Sequence, residues 1–366
     1  MAWRADGIPP LGVDPNLEPL LHERLWPRHS VALAVLFKLM EPWRDIVVCQ
    51  DVCQALMDYE LPESGVIQHE TFNLPQDVTV LRNGTLVVSD RDAPGLHLVT
   101  VSGLKLRSVV IPELDTPLGI GLLSDGGIAV CNFTSGSLCF LSTGTWGLVH
   151  VTGGFPMPKH VVEVTSRMDL IVACAGSSQL SVVRRGGTDA EPLMLDRTLV
   201  KPGAMAYHPR RNELFVLDMG CLALYAFSPP PDAAAGPYRC RRMWDLKAAA
   251  AKAGVQFPPL TTFDGLTFVP VGASSTASSS TGRSAAASGS SEGWENDEGE
   301  EAVFSETAGR RLFRLHLTSG IGALTTEGRR GTHHGEFDYP VGMALLPYRK
   351  LLVLDRGNSR LQILQL

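Results

Sequence analysis

Residues 335–364 read GEFDYPVGMALLPYRKLLVLDRGNSRLQIL. Three short apolar runs of strand length lie in this stretch, separated by tight polar turns. The middle run, KLLVLD (350–355), ends in Asp355, and Leu361 follows six positions later. The same unit occurs five times upstream, as TLVVSD (85–90), GIAVCN (127–132), DLIVAC (169–174), ELFVLD (213–218) and EAVFSE (301–306). Leu96, Leu138, Leu180, Leu224 and Leu312 stand at the same offset in those copies. A further strand precedes each pair, starting at Pro75, Pro117, Pro158, Pro202 and Pro340, with Phe263 in that place in the fifth copy. Proline suits the start of a strand because it presets φ and needs no ladder N–H there.

The first three intervals between these starts are 42, 41 and 44 residues, and the next two are 61 and 77. A regular spacing with two insertions, each repeat holding several short strands, predicts an all-β, six-bladed β-propeller over residues 65–366. The last copy lacks a fourth strand. GVIQHET (65–71), just ahead of the first copy, is expected to supply it and latch the ring. The acids that close the second strands, Asp90, Asp218 and Asp355, are expected to accept backbone N–H groups in turns rather than to do chemistry.

The insertions differ in character. YRCRRMWDL (238–246) alternates like an outer strand, and KAAAAKAG (247–254) favours helix. Residues 272–301 are rich in Ser, Gly and acid, and disorder is expected there. That stretch holds one Arg and six acidic residues, against a net charge of -6 for the 366-residue chain. The remainder is therefore close to neutral, which disfavours a phosphate-seeking surface. The seven cysteines are odd in number and form no C-x-x-C pair. Neither a disulfide framework nor a structural zinc site is expected, and a reducing compartment, cytoplasmic or nuclear, is. The N-terminus shows no secretory pattern and no membrane span is expected. Residues 1–15 are expected to be disordered. Residues 16–60 have helical texture, with apolar Val31, Leu33, Val35, Leu36 and Leu39, Pro42 as a break, and a second amphipathic run from Trp43 to Met57.

Where inner strands begin at a propeller channel, copies one, three and five offer Asp77, His160 and Asp264. Two carboxylates and an imidazole form a candidate divalent-metal set, although no cofactor is expected. Arg91, Lys159, Lys201 and Arg356 fall on the same expected face. Nucleotide-binding glycine motifs, H-E-x-x-H and G-x-S-x-G are absent.

Gly335, Phe337, Pro340, Gly342, Asp355, Asn358 and Arg360 follow the pattern of an NHL repeat, and residues 65–366 resemble an NHL-type six-bladed propeller. Leu39, Glu41, Pro42, Arg44, Asp45, Ile46, Cys49, Val52, Cys53 and Gln54 resemble an F-box, with Trp43 as an extra residue. The F-box resemblance implies docking on the small adaptor subunit of a cullin-RING ubiquitin ligase through Leu36, Leu39, Pro42, Ile46 and Val52. The propeller face would then present a protein substrate, and this chain would do no chemistry itself. The other reading of the helices is a cap on the propeller. The alternative functions are a metal-dependent propeller hydrolase or lyase, and an RNA-binding NHL propeller using Arg91, Lys159, Lys201 and Arg356.

Overall fold

The computed structural model describes residues 65–365 apart from 69–71, 94, 102–104, 176, 185–186, 232–235, 271–299, 318–322 and 347–348. The expectations for 1–15 and 16–60, including Leu36, Leu39, Pro42, Ile46 and Val52, lie outside the described residues. So does most of the 272–301 stretch.

The chain forms a six-bladed β-propeller of four-stranded antiparallel blades. The inner strands are Pro75–Val80, Pro117–Leu122, Pro158–Val164, Pro202–His208, Phe263–Pro270 and Pro340–Leu346. All six begin at the residue the sequence marks. The second strands, from Leu86–Asp90 in blade 1 to Lys350–Asp355 in blade 6, are buried along their whole length in blades 1, 2, 3, 4 and 6. They read as near-continuous apolar runs because a neighbouring blade covers each face. In blade 1, for example, Val87 packs toward blade 2 while Leu86 and Val88 pack toward blade 6. Six apolar clusters fill the six interfaces between blades. The six leucines of the repeat are all buried in them.

The ring closes as the sequence predicts. Gly65–Gln68 is the outer strand of blade 6 and pairs antiparallel with Arg360–Gln365. Its Ile67 is buried among Leu361, Ile363 and Val99. Arg239–Asp245 is the outer strand of blade 4, and Leu246–Lys252 is a short helix capped by the Asp245 side chain. The helix seats Leu246, Ala249 and Ala250 in the cluster between blades 4 and 5. Cys131, Cys139 and Cys174 are buried thiols within second and third strands, where they act as small hydrophobes.

One boundary differs from the composition. The second strand of blade 5 begins at Glu300, so the last two acids of the 272–301 stretch belong to the folded ring. Glu300 pairs with His208 and Arg211 of blade 4, and Glu301 with Arg314 and His316. Composition reads these glutamates with the acidic run that precedes them. Their Arg and His partners elsewhere in the ring are invisible to it.

Candidate functional site at the channel mouth

Two repeated devices build one end of the propeller. The first is the buried residue that closes each second strand. Asp90 accepts the backbone N–H groups of Asn73 (2.7 Å), Leu74 (2.9 Å) and Asp92 (3.3 Å). Asp218 accepts those of Val200 (2.7 Å), Lys201 (2.9 Å) and Gly220 (2.8 Å). Asp355 accepts from Asp338 N–H, Asn358 Nδ2, Arg360 Nε and Gln362 Nε2. Burial alone raises a carboxyl pKa. In Asp90 the His97 side chain and the surrounding N–H groups outweigh burial and hold the pKa low. These acids tie the end of each second strand to the loop before the inner strand of the same blade, the structural role expected of them. Arg360 extends the tie in blade 6, donating to the carbonyls of Thr332, His333 and Glu336.

The second device is a backbone brace. The residue after each turn position donates its N–H to the carbonyl of the residue immediately before the inner strand. The pairs are Arg91 to Leu74, Phe133 to Thr116, Ala175 to Met157, Met219 to Lys201, Thr307 to Thr262 and Arg356 to Tyr339. These twelve positions form the rim of the channel mouth, and Arg91, Lys201 and Arg356 are among them. Sequence reasoning missed the apolar rim residues. Leu74, Met157 and Tyr339 on the rim, and Val200 and Leu260 one and two residues before it, are all exposed, Val200 at 60% and Leu260 at 84%. Each lies within three residues of an inner-strand start, and that position, compared across copies, was the signal available. Met157 and Tyr339 also hold φ of 57° and 58°, a left-handed conformation that bulky side chains rarely adopt.

Just inside the rim, every inner strand carries a register shift at its mouth end. Such bulges re-aim side chains. Blades 1, 3 and 5 place polar residues there: Asp77, Lys159, His160 and Asp264. Blades 2, 4 and 6 place Gly119, Gly203 and Gly342. A Cβ on Gly119 would stand 2.4 Å from the Lys159 carbonyl oxygen, and one on Gly342 would meet Asp77 Oδ1 at the same distance. The glycines thus let the polar blades approach their neighbours closely.

The polar residues mostly bond to one another or to backbone. Lys159 of blade 3 reaches Asp264 of blade 5 in a charge-assisted bond, and Thr307 Oγ1 donates to the other carboxyl oxygen at 2.8 Å. Burial pushes the Asp264 carboxyl up, but the Lys159 ammonium outweighs it and keeps the pKa below its ordinary value. Asp77 Oδ2 accepts from Ile120 N–H of blade 2, and Oδ1 from Val78 N–H, both at 2.9 Å. Burial nonetheless raises its pKa to about 7. Burial, then the Lys159 charge, lowers His160 to about 3, so the imidazole is neutral, and its buried Nε2 has no hydrogen-bond partner among the described residues.

Asp77, His160 and Asp264 sit at the mouth ends of the inner strands of blades 1, 3 and 5. They are not gathered as a ligand set, and among the described residues no group of three His, Cys, Asp or Glu side chains is placed to hold a metal ion. Elsewhere, an open depression of about 440 Å³ lies on the loop before blade 6, between Arg329, His333, His334 and Glu336.

No protein-family model and no curated protein matches the chain. Solved structures do. An auxiliary nutrient binding protein from Bacteroides thetaiotaomicron aligns with a TM-score of 0.59 at 12% identity, over 80% of this chain and 69% of that one. A streptogramin B lyase aligns with a TM-score of 0.54 at 12% identity, over 82% and 96%. A gluconolactonase from Xanthomonas campestris aligns with a TM-score of 0.55 at 12% identity, over 85% and 92%. At such identities the likeness establishes the propeller fold and carries no chemistry with it.

Proposed function

We propose that the chain is a protein-recognition module whose channel-mouth face presents a substrate, and that it serves as a substrate receptor of a cullin-RING ubiquitin ligase. The observation that carries the recognition reading is the rim: apolar side chains stand exposed beside cations. The turn acids beneath it are already bonded to backbone. The ligase assignment rests on the F-box-like pattern of residues 16–60, with Leu36, Leu39, Pro42, Ile46 and Val52 as the adaptor-docking anchors. The module does no bond-making; it raises the local concentration of substrate near the transferase. It operates in the cytoplasm or nucleus. Co-precipitation of the full-length chain with the cullin adaptor tests the assignment. Wild type is expected to capture the adaptor, and a Pro42→Ala, Ile46→Asp variant to lose it. No capture by wild type overturns the ligase role.

A second reading, a propeller hydrolase or lyase, is favoured by one observation. Burial raises the Asp77 carboxyl to about 7 at the mouth end of the blade 1 inner strand, in the range a general base at neutral pH requires. Stoichiometric divalent metal in purified protein, lost in Asp264→Asn, would support its metal-dependent form.

A further inference from the structure

The rim is not uniform around its circumference. At blade 1, Arg91 stands beside exposed Leu74. At blade 4, Lys201 stands beside exposed Val200. At blade 6, Arg356 stands beside Tyr339, and the Arg356 and Arg310 guanidinium groups lie over the Tyr339 ring at 5.6 and 4.7 Å. Neither Arg91, Lys201 nor Arg356 has a carboxylate partner among the described residues; Arg356 meets only Gln76, at 3.3 Å, and the Tyr339 ring. Of the carboxylates on these blades, Asp264 is held by Lys159 and Asp338 by Arg310, while exposed Asp92, next to Arg91, accepts from Asn73 Nδ2 at 3.4 Å. Blade 2 is the opposite case: its loop carries exposed Glu113 and Asp115.

From this asymmetry we infer that the rim arc from blade 4 through blade 6 to blade 1 binds a peptide segment carrying acidic side chains next to apolar ones, and that blade 2 repels it. Each station offers one cation and one apolar surface side by side, so a ligand must present both within one or two residues. The acids of such a segment complement charges that have no internal partner, and its apolar side chains cover surface now facing water. Tyrosine and arginine together are the residue types that dominate recognition hot spots. Tyr339 also keeps a left-handed backbone, and strain of this kind persists where surrounding structure imposes it and tends to mark functional positions. The exposed carboxylates of Glu113 and Asp115 supply the repulsive element that specificity requires.

This inference rests on the protein-recognition reading, and its test separates the two. A random linear peptide display library is selected against the full-length chain, and enriched peptides are measured by fluorescence anisotropy. Enrichment of sequences with Asp or Glu next to Leu, Phe, Ile or Val is expected. Affinity should fall roughly three-fold or more with each of Arg91→Glu, Lys201→Glu and Arg356→Glu. It should rise in Glu113→Lys, Asp115→Lys, and weaken as salt is raised. The melting temperatures of these surface variants check that the fold is intact. Enriched peptides lacking acidic residues, or binding unchanged by the reversals, overturn the acidic-peptide inference while leaving protein recognition standing. Absence of any enriched peptide, or displacement of all binding by a uridine dodecamer, overturns both.

Discussion

Replacing Ile67 by alanine tests ring closure at the point where the first described strand meets the last. Ile67 is 4% exposed and packs with Leu361 and Ile363 across the blade 6 ladder, opposite Leu361 in register. Val66, its neighbour, is 41% exposed and points to the other face. Truncating a buried isoleucine removes its transfer free energy and leaves a cavity, a cost of about 3 kcal/mol within a usual range of roughly 2–5. Val66→Ala should cost about 0.5 kcal/mol or less. Because strand faces alternate, a slip of one residue would exchange the two effects. Urea unfolding of the full-length chain, followed by intrinsic fluorescence, measures both variants against wild type. A lowered midpoint with unchanged slope for Ile67→Ala, and near-identity for Val66→Ala, is expected. Equal effects, or a cost below about 1 kcal/mol for Ile67→Ala, would refute the latch.

Two other predictions concern the buried acids. Asp218→Ala leaves the N–H groups of Val200, Lys201 and Gly220 without their acceptor and should destabilise the fold by roughly 2–4 kcal/mol. Asp218→Asn, which keeps one acceptor oxygen, should cost less, and thermal melts that rank the two the other way would refute the bracing role. Asp77 has a folded pKa of about 7 against an ordinary value of 3.8, so its contribution to stability is full below pH about 4 and is lost as pH rises through 7. Wild type should therefore lose stability relative to Asp77→Asn between pH 4 and 8, with a ceiling of about 4 kcal/mol at 1.4 kcal/mol per pH unit. Urea midpoints for the pair across that range test it, and a difference that does not change with pH would refute the shifted carboxyl.

The ring was legible in the sequence because its signals are local. A proline, an apolar run, a turn acid and a leucine six residues on all fall within one repeat, and each marks a position that blade geometry demands. The outer strand Arg239–Asp245 and the helix after it were legible for the same reason. The mouth was legible only as a set of positions. Nothing local says that Lys159 bonds to Asp264, 105 residues away, or that Asp77 caps the Ile120 N–H of the next blade. Those contacts depend on bulges that no residue type announces. They change the chemistry, since a candidate metal set becomes one carboxylate held by an ammonium, one held by backbone and a neutral imidazole. The acids Glu300 and Glu301 were misplaced by the same limit, because their partners come from elsewhere in the ring.

The third blade shows which part of the repeat is structural. Its second strand ends in Cys174, which cannot accept N–H bonds as a carboxylate does, yet Ala175 N–H still meets the Met157 carbonyl at 2.9 Å. The backbone brace therefore outlasts the loss of the acid. A rim position fixed through its carbonyl leaves its side chain unconstrained by the fold. Leu74, Thr116, Met157, Lys201, Thr262 and Tyr339 occupy the six equivalent places with six different demands on solvent. If the rim served only to hold the ring, the cheapest occupant of every place would be small or polar. Exposed leucine and methionine, and a tyrosine in a strained backbone against two arginines, are costly occupants that folding does not require. Under the protein-recognition proposal, the positions the fold leaves free are the ones that would carry the binding specificity.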